Sequence, residues 1–229
     1  MIQLLLPVFL MIAISWLTYA AAARRTASML SEKSAPLRDA GLEPLLAQMA
    51  RALNQPDIPV HVFEVEMVNG LAAPDGRIFL TRGFLQKYRA GDVTAPEMAS
   101  VIAHELGHVA LGHSKRRMID MTGQSAVFIV LQAVLTRFVP IIGFWIAGLV
   151  TRVLSSHLSR GAEYEADAYA SALLMAAGIG TAPQKSLFLK LERLVGMKGS
   201  PPAWMASHPA TADRIAAIEA REARWRQVV

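Results

Sequence analysis

The sequence predicts an α+β fold that is mainly helical, with a small β-sheet and an N-terminal transmembrane helix. Three observations lead to this prediction. A long apolar run opens the chain, two short segments have strand signals, and most of the remaining chain has the apolar period of an α-helix. With 229 residues, the chain is long enough for one well-packed domain with appendages.

The opening run predicts a membrane anchor over residues 1–24. Residues Ile2 to Ala23 are almost wholly apolar, and Arg24 and Arg25 are the first charged residues. A helix of about 22 residues spans roughly 30 Å, enough for one crossing of a bilayer. Because the positive charges follow this segment, we expect the rest of the chain to face the cytoplasm from a bacterial-type inner membrane. A cleaved signal peptide, which would leave the domain in the periplasm, is the alternative.

The expected domain covers residues 36–229. An amphipathic helix is predicted from Pro36 to Leu53. A strand is predicted from Val60 to Met67, because this segment alternates apolar and polar positions, and a second strand from Arg77 to Thr81, because it follows the turn at residues 74–76. Further helices are expected around residues 97–111, from Ser159 onward, from Pro183 to Val195, and from Thr211 to the end.

A second apolar stretch interrupts this domain at residues 125–154. It contains Arg137, Pro140 and Gly143, and it is too short for two membrane crossings of about 20 residues each. We therefore expect a helical hairpin insertion. It either enters the membrane or packs on the domain itself, and the sequence leaves both possibilities open.

The composition excludes several functions. The chain has no cysteine, so it has neither a disulfide framework nor a thiol nucleophile. Its net charge of +5 is modest, and no basic patch interleaved with aromatic residues points to nucleic acid. The apolar content of 53% indicates membrane lipid as a partner instead.

The segment His104-Glu105-Leu106-Gly107-His108 carries the chemistry. Two histidines four residues apart on a helix lie one turn apart on one face, so their imidazoles can bind one zinc ion. Glu105 is offset from both and can take a proton from an attacking water. H-E-x-x-H is the metalloprotease signature for this reason. Gly107 inside the helix indicates close approach of another element.

A catalytic zinc needs a third protein ligand. His113 lies five residues after His108, whereas the metzincin pattern requires six, so His113 is interpreted as a helix-end histidine. Glu163 and Asp167 are four residues apart at the edge of the apolar stripe of the next helix, while Glu165 points elsewhere. The pair suits a metal ligand with a carboxylate that orients a histidine. A solvated acidic helix start is the alternative.

Five segments together resemble the M48 zinc metallopeptidases, a family that includes the membrane protease HtpX. They are H-E-L-G-H at residues 104–108, S-R-x-x-E-x-E-A-D at 159–167, the segment 69–83, S-H-P at 207–209, and D-R-I at 213–215. The resemblance implies a zincin-like fold for roughly residues 40–220. It also implies that a polypeptide is the substrate.

The resemblance assigns roles to individual residues. It makes His104, His108 and Glu163 the ligands of one zinc ion per chain, Glu105 the general base, and Asp167 the carboxylate behind the ligands. It places His208 and Arg214 near the site, where they assist substrate or oxyanion binding. The substrate backbone would pair with an edge strand formed by Asn69, Gly70, Leu71, Ala72 and Ala73.

The expected function is that of a membrane-anchored zinc metalloendopeptidase that cleaves misfolded or membrane proteins. A regulatory protein partner is compatible with this expectation, and the sequence does not identify one. The alternative is a membrane-bound chaperone or binding module with a structural zinc. The zinc site also constrains the hairpin. A single membrane crossing at residues 125–154 would separate Glu163 from the two histidines, so that topology is excluded.

Overall fold

The computed structural model describes residues 2–73, 75–139, 142–196 and 211–227. The helices are α1 (Ile2–Glu32), α2 (Glu43–Ala52), α3 (Arg82–Arg89), α4 (Ala95–Ala110), α5 (His113–Phe138), α6 (Gly143–Ala176), α7 (Ala182–Gly196) and α8 (Thr211–Arg226). The strands are β1 (Ser34–Pro36), β2 (Val60–Phe63), β3 (Gly70–Ala72) and β4 (Ile78–Thr81). The expected α+β fold, mainly helical with a small sheet, is confirmed.

The four strands form one mixed sheet in the order β1-β2-β4-β3. The central pair is parallel, with Val60 opposite Ile78, and the two outer strands run antiparallel to their neighbours. β3 is therefore an edge strand among the described residues. The strand predicted from Val60 ends at Phe63 rather than at Met67, and a tight Val65 N–H to Phe63 carbonyl contact follows it.

Helix α4 lies at the centre of the fold, between the sheet, α6 and α7. A capping box defines its start, because the Thr94 N–H donates to Glu97 Oε2 at 2.7 Å and the Thr94 side chain accepts from the backbone of the third residue. Met98, Ile102 and Ala103 are fully buried against the core. The position of α4 thus brings the H-E-x-x-H turn into a water-poor interior.

The first predicted helix needs a correction. Residues Ser34–Pro36 pair with β2 as a strand, and the helix begins only at Glu43. The reason lies in Asp39, whose carboxylate accepts hydrogen bonds from the backbone of Gly41 and Leu42 and so forms a turn before the helix. Apolar periodicity alone could not reveal that turn.

The predicted membrane anchor is not supported. Over the described residues, no helix combines the length and the apolar character that crossing a membrane requires. The apolar opening run is the first part of α1, which continues without a break past Arg24 to Glu32. Its last turns pack on the sheet, with Leu30 buried beside Phe79. The expected cytoplasmic orientation depended on this anchor and stays a prediction.

The apolar stretch at residues 125–154 does contain a helical hairpin. α5 and α6 pack against each other, and they are separated at residues 139–142, where the interruption was expected. The second arm is continuous with the helix that carries Glu163, whereas the sequence suggested a separate helix starting near Ser159. Large apolar side chains remain exposed on this hairpin, including Phe138 at 76% and Trp145 at 73%.

Candidate metal centre

Three side chains converge between α4 and α6. The Nε2 atoms of His104 and His108 are 3.1 Å apart, and the Glu163 carboxylate lies 3.3 Å from the first and 3.6 Å from the second. Two ligands bound at about 2.0–2.1 Å to a tetrahedral zinc are separated by roughly 3.3 Å. The donor atoms are thus spaced for one such ion, and two imidazoles with one carboxylate are a donor set that suits zinc.

A close contact between helices sets this spacing. A methyl group added at Gly107 would lie 3.0 Å from both Cα and O of Ala166. A side chain at this position would require the backbone of α6 to shift by a few tenths of an ångström, so the glycine favours the close approach of α4 to the turn of α6 that follows Glu163. The expectation that Gly107 marks the approach of another element is confirmed.

Behind His104 lies a buried ionic network. His104 Nδ1 is 2.9 Å from Asp167 Oδ1, and Arg214 donates from Nε and Nη2 to the two oxygens of the same carboxylate at 2.7 and 2.6 Å. Asp167 and Arg214 are 0% and 1% exposed, and the guanidinium stacks 4.0 Å over the ring of Phe188. Asp167 thus fixes the ring of one candidate ligand, as expected for an orienting carboxylate.

Arg214 lies in this network. Its guanidinium bonds to both oxygens of Asp167, and the role in substrate or oxyanion binding that the resemblance implies stays a prediction. Sequence spacing could not reveal this contact, because it joins two helices and α8 begins 44 residues after Asp167. The geometry makes Arg214 a positioning residue that holds Asp167 in place.

The local field favours a cation. Burial lowers the pKa of the His104 imidazole, but the carboxylates of Asp167 and Glu163 outweigh burial and raise that pKa to about 9. Burial also raises the pKa of Asp167, while Arg214 and His104 lower it more strongly, to about 2. Negative charge is thus concentrated around His104, and the same field stabilises a divalent metal ion.

Glu105 lies beside the edge strand. It is 8% exposed, and a Cβ placed on Gly70 would be 3.4 Å from Glu105 Oε1 and 2.7 Å from a methyl of Val101. The lack of a side chain at Gly70 thus lets β3 pass directly over this turn of α4. A candidate base thus lies next to a strand edge that pairs with no other strand in the described part of the chain.

The segment Asn69–Ala73 uses one side for the sheet. The backbone of Asn69 bonds to Thr81, Leu71 is opposite Phe79, and the Ala73 N–H donates to the Arg77 carbonyl. These partners are residues of β4 and Arg77, the residue directly before it. Among the described residues, the opposite side of this segment pairs with no strand. His208 falls outside the described residues.

His113 does not occupy the expected place. Gly112 adopts a left-handed conformation with φ +65°, which changes the chain direction after α4. His113 is therefore the first residue of α5 and not the last residue of α4. The side chain is 6% exposed, and its Nδ1 lies 2.8 Å from His108 Nδ1. Sequence reasoning missed this contact because the left-handed turn at Gly112 is not visible in a periodic pattern.

Comparison with known proteins agrees with this geometry. The model of peptidase family M48 matches residues 36–222. The metalloprotease LoiP of Escherichia coli is 30% identical over 169 residues, which are 74% of this chain and 64% of LoiP. The E. coli metalloprotease YcaL is 28% identical, over 77% of this chain and 68% of YcaL.

The chain is also similar, at lower identity, to a mitochondrial protein. The human mitochondrial metalloendopeptidase OMA1 is 21% identical over 68% of this chain, which spans only 30% of OMA1. The family match covers most of the chain, including every described residue of the candidate centre. The chain spans less than two thirds of the length of LoiP and of OMA1. It belongs to peptidase family M48.

Proposed function

We propose that this chain is a zinc-dependent endopeptidase in which His104, His108 and Glu163 hold one zinc ion and Glu105 is the general base. The observation that carries the proposal is the spacing of the three donors, with the Glu105 carboxylate beside a free strand edge. A bound zinc ion would act as a Lewis acid that polarises the carbonyl of the peptide bond to be cleaved and lowers the pKa of the attacking water. Glu105 then takes the proton of the attacking water and returns it to the leaving amine.

The edge strand supports an extended polypeptide as the substrate. Residues 69–73 use only one side for pairing with β4, so the other side can bond to substrate backbone. Backbone pairing requires an unfolded segment and reads few side chains. We therefore propose unfolded or damaged proteins as the substrate class. His208 belongs to the segment before α8 and is proposed to assist substrate or oxyanion binding.

The exposed hairpin supports action at a membrane surface. Its apolar side chains include Val130, Val134, Phe138, Trp145, Leu149 and Val153, each at least half exposed. The basic side chains of Arg137 and Arg152 are also exposed on it. Apolar residues next to arginines fit the acyl and headgroup layers of an anionic bilayer. We propose that the hairpin docks on such a surface and brings the protease to membrane-associated substrates.

Two matched experiments test these proposals. For catalysis, wild type and Glu105→Gln are compared on unfolded casein, with zinc counted in each protein. We expect about one zinc per chain in both and a loss of activity of at least about 10²-fold in the variant. If Glu105→Gln cleaved casein near the wild-type rate, Glu105 could not be the general base. If both proteins bound zinc but neither cleaved casein, the alternative of a chaperone or binding module with a structural zinc would be favoured.

For membrane docking, sedimentation with vesicles that contain phosphatidylglycerol is compared with sedimentation with neutral vesicles. Trp145→Ser should bind the anionic vesicles several-fold more weakly. Met175→Gln alters an exposed apolar residue at the far end of α6 and should bind like wild type. Equal binding of all three proteins would contradict docking through the hairpin.

A further inference from the structure

The His108 imidazole is held from behind by two further side chains. Its Nδ1 lies 2.8 Å from His113 Nδ1, and His113 Nε2 lies 3.1 Å from Glu165 Oε2. Arg116 donates to the same Glu165 oxygen at 2.8 Å. His113 is nearly fully buried, whereas the Glu165 side chain is 45% exposed. The four side chains form one chain of contacts from the candidate metal position to the surface.

One arrangement of protons satisfies these contacts when His108 binds a metal through Nε2. The ligand nitrogen needs its lone pair, so Nδ1 carries the proton of the neutral ring. That N–H donates to His113 Nδ1, which must then be unprotonated. His113 therefore carries its own proton on Nε2, and this N–H donates to the Glu165 carboxylate. Because a carboxylate only accepts, the direction of the whole chain is determined.

We propose that His113, supported by Glu165, is a positioning residue that orients His108 for metal binding. The proposal rests on the zinc site proposed above and assigns to His108 a partner equivalent to the one His104 has in Asp167. The two supports differ in burial. Asp167 is fully buried and ion-paired, while Glu165 is partly hydrated, so the support of His108 is the weaker of the two.

Zinc affinity measured against a chelator tests this proposal without relying on activity. His113→Phe keeps a ring but removes the acceptor, and it should weaken zinc binding by about 10- to 100-fold. His113→Gln can still accept from His108 Nδ1 and should recover part of the loss. Glu165→Ala should weaken binding by less than His113→Phe. The control is Arg117→Gln, which alters an exposed arginine in the same helix turn outside this chain of contacts and should stay within about twofold of wild type.

Nitrogen-15 NMR of the histidine side chains provides a second readout. In the zinc-loaded wild type, His108 should be protonated at Nδ1 and His113 at Nε2. Wild-type zinc affinity in His113→Phe, or protonation of His113 at Nδ1, would overturn the proposal. Equal losses in His113→Phe and His113→Gln would also overturn it, because the accepted hydrogen bond would then not matter. If the wild type itself bound no zinc, the proposed function would fail instead.

Should His113→Phe fold poorly, Glu165→Ala remains decisive because it alters an exposed side chain. If Glu165→Ala bound zinc with wild-type affinity although the His113 proton was no longer localised on Nε2, the hydrogen bond from His113 to Glu165 would not matter for zinc binding. That result would contradict the proposed supporting role of Glu165. Urea unfolding of each zinc-free variant separates a loss of metal affinity from a loss of fold.

Discussion

Replacing Asp167 by asparagine should destabilise the fold and weaken zinc binding at the same time. One carboxylate serves both purposes, since it bonds to His104 at 2.9 Å and to Arg214 at 2.6 and 2.7 Å. An asparagine keeps the volume but removes the charge, so Arg214 remains buried without its counter-charge. Breaking a buried ion pair from one side costs about 3–5 kcal/mol of unfolding free energy. The loosened His104 should lower zinc affinity by about 10- to 100-fold.

Urea unfolding of the zinc-free protein and chelator competition measure the two effects separately. Asp92→Asn is the matched control, because it removes a carboxylate from the half-exposed pair with Lys87 and should cost no more than about 1 kcal/mol. Arg214→Met should restore part of the stability when combined with Asp167→Asn, since the unpaired cation is then gone. A loss below about 1 kcal/mol in Asp167→Asn, with unchanged zinc affinity, would refute the network.

Three further predictions concern the ligands, the packing of the helices and the capping box. Glu163→Ala should purify without zinc, whereas Glu165→Ala should still purify with about one zinc per chain. Metal analysis measures the zinc content of both variants, and the reverse result would show that Glu165, not Glu163, is the ligand. Gly107→Ala should lower the free energy of unfolding by about 1–3 kcal/mol and weaken zinc binding, because the added methyl group moves α4 away from α6. Gly123→Ala is the control: its methyl group meets no atom within 4 Å, so urea unfolding should show no loss of stability. Burial raises the pKa of Glu97, but its hydrogen bonds lower it more, below 4.5. Glu97→Gln should therefore destabilise at neutral pH, and its difference from wild type should shrink as pH falls below 4.5; a constant difference from pH 7 to 3 would contradict this.

The sequence predicted those parts of the site that local spacing determines. His104 and His108 share a helix face because four residues make one turn, and Glu163 and Asp167 share a face for the same reason. The helices α2, α4, α7 and α8 and the strand β2 were expected from apolar periods, which report the half-buried surface of each element, whereas β1 and α3 were not expected. These features depend on neighbours within one element, and a single sequence contains that information.

Features that depend on long-range pairing or on turns were missed. The contact of Arg214 with Asp167 joins two helices far apart in sequence, and no pattern within α8 distinguishes an arginine bound to a buried carboxylate from a solvated one. The left-handed turn at Gly112 places His113 against His108, and an apolar period carries no sign of it. The early end of β2 likewise reflects a backbone turn at Val65.

Burial of the network behind the proposed metal position explains why α8 matters for a site whose candidate ligands lie on α4 and α6. Two like-charged carboxylates, Glu163 and Asp167, face the same imidazole across one helix turn, and without a cation they would repel each other. Arg214 supplies one positive charge from α8. The second comes from His104 in the metal-free site, because its pKa of about 9 keeps the imidazole protonated at neutral pH, and a metal ion would take over that role. Arg214 and His104 together keep Asp167 ionised in the metal-free fold. Any change that detaches α8 should lower metal affinity even though α8 contributes no ligand.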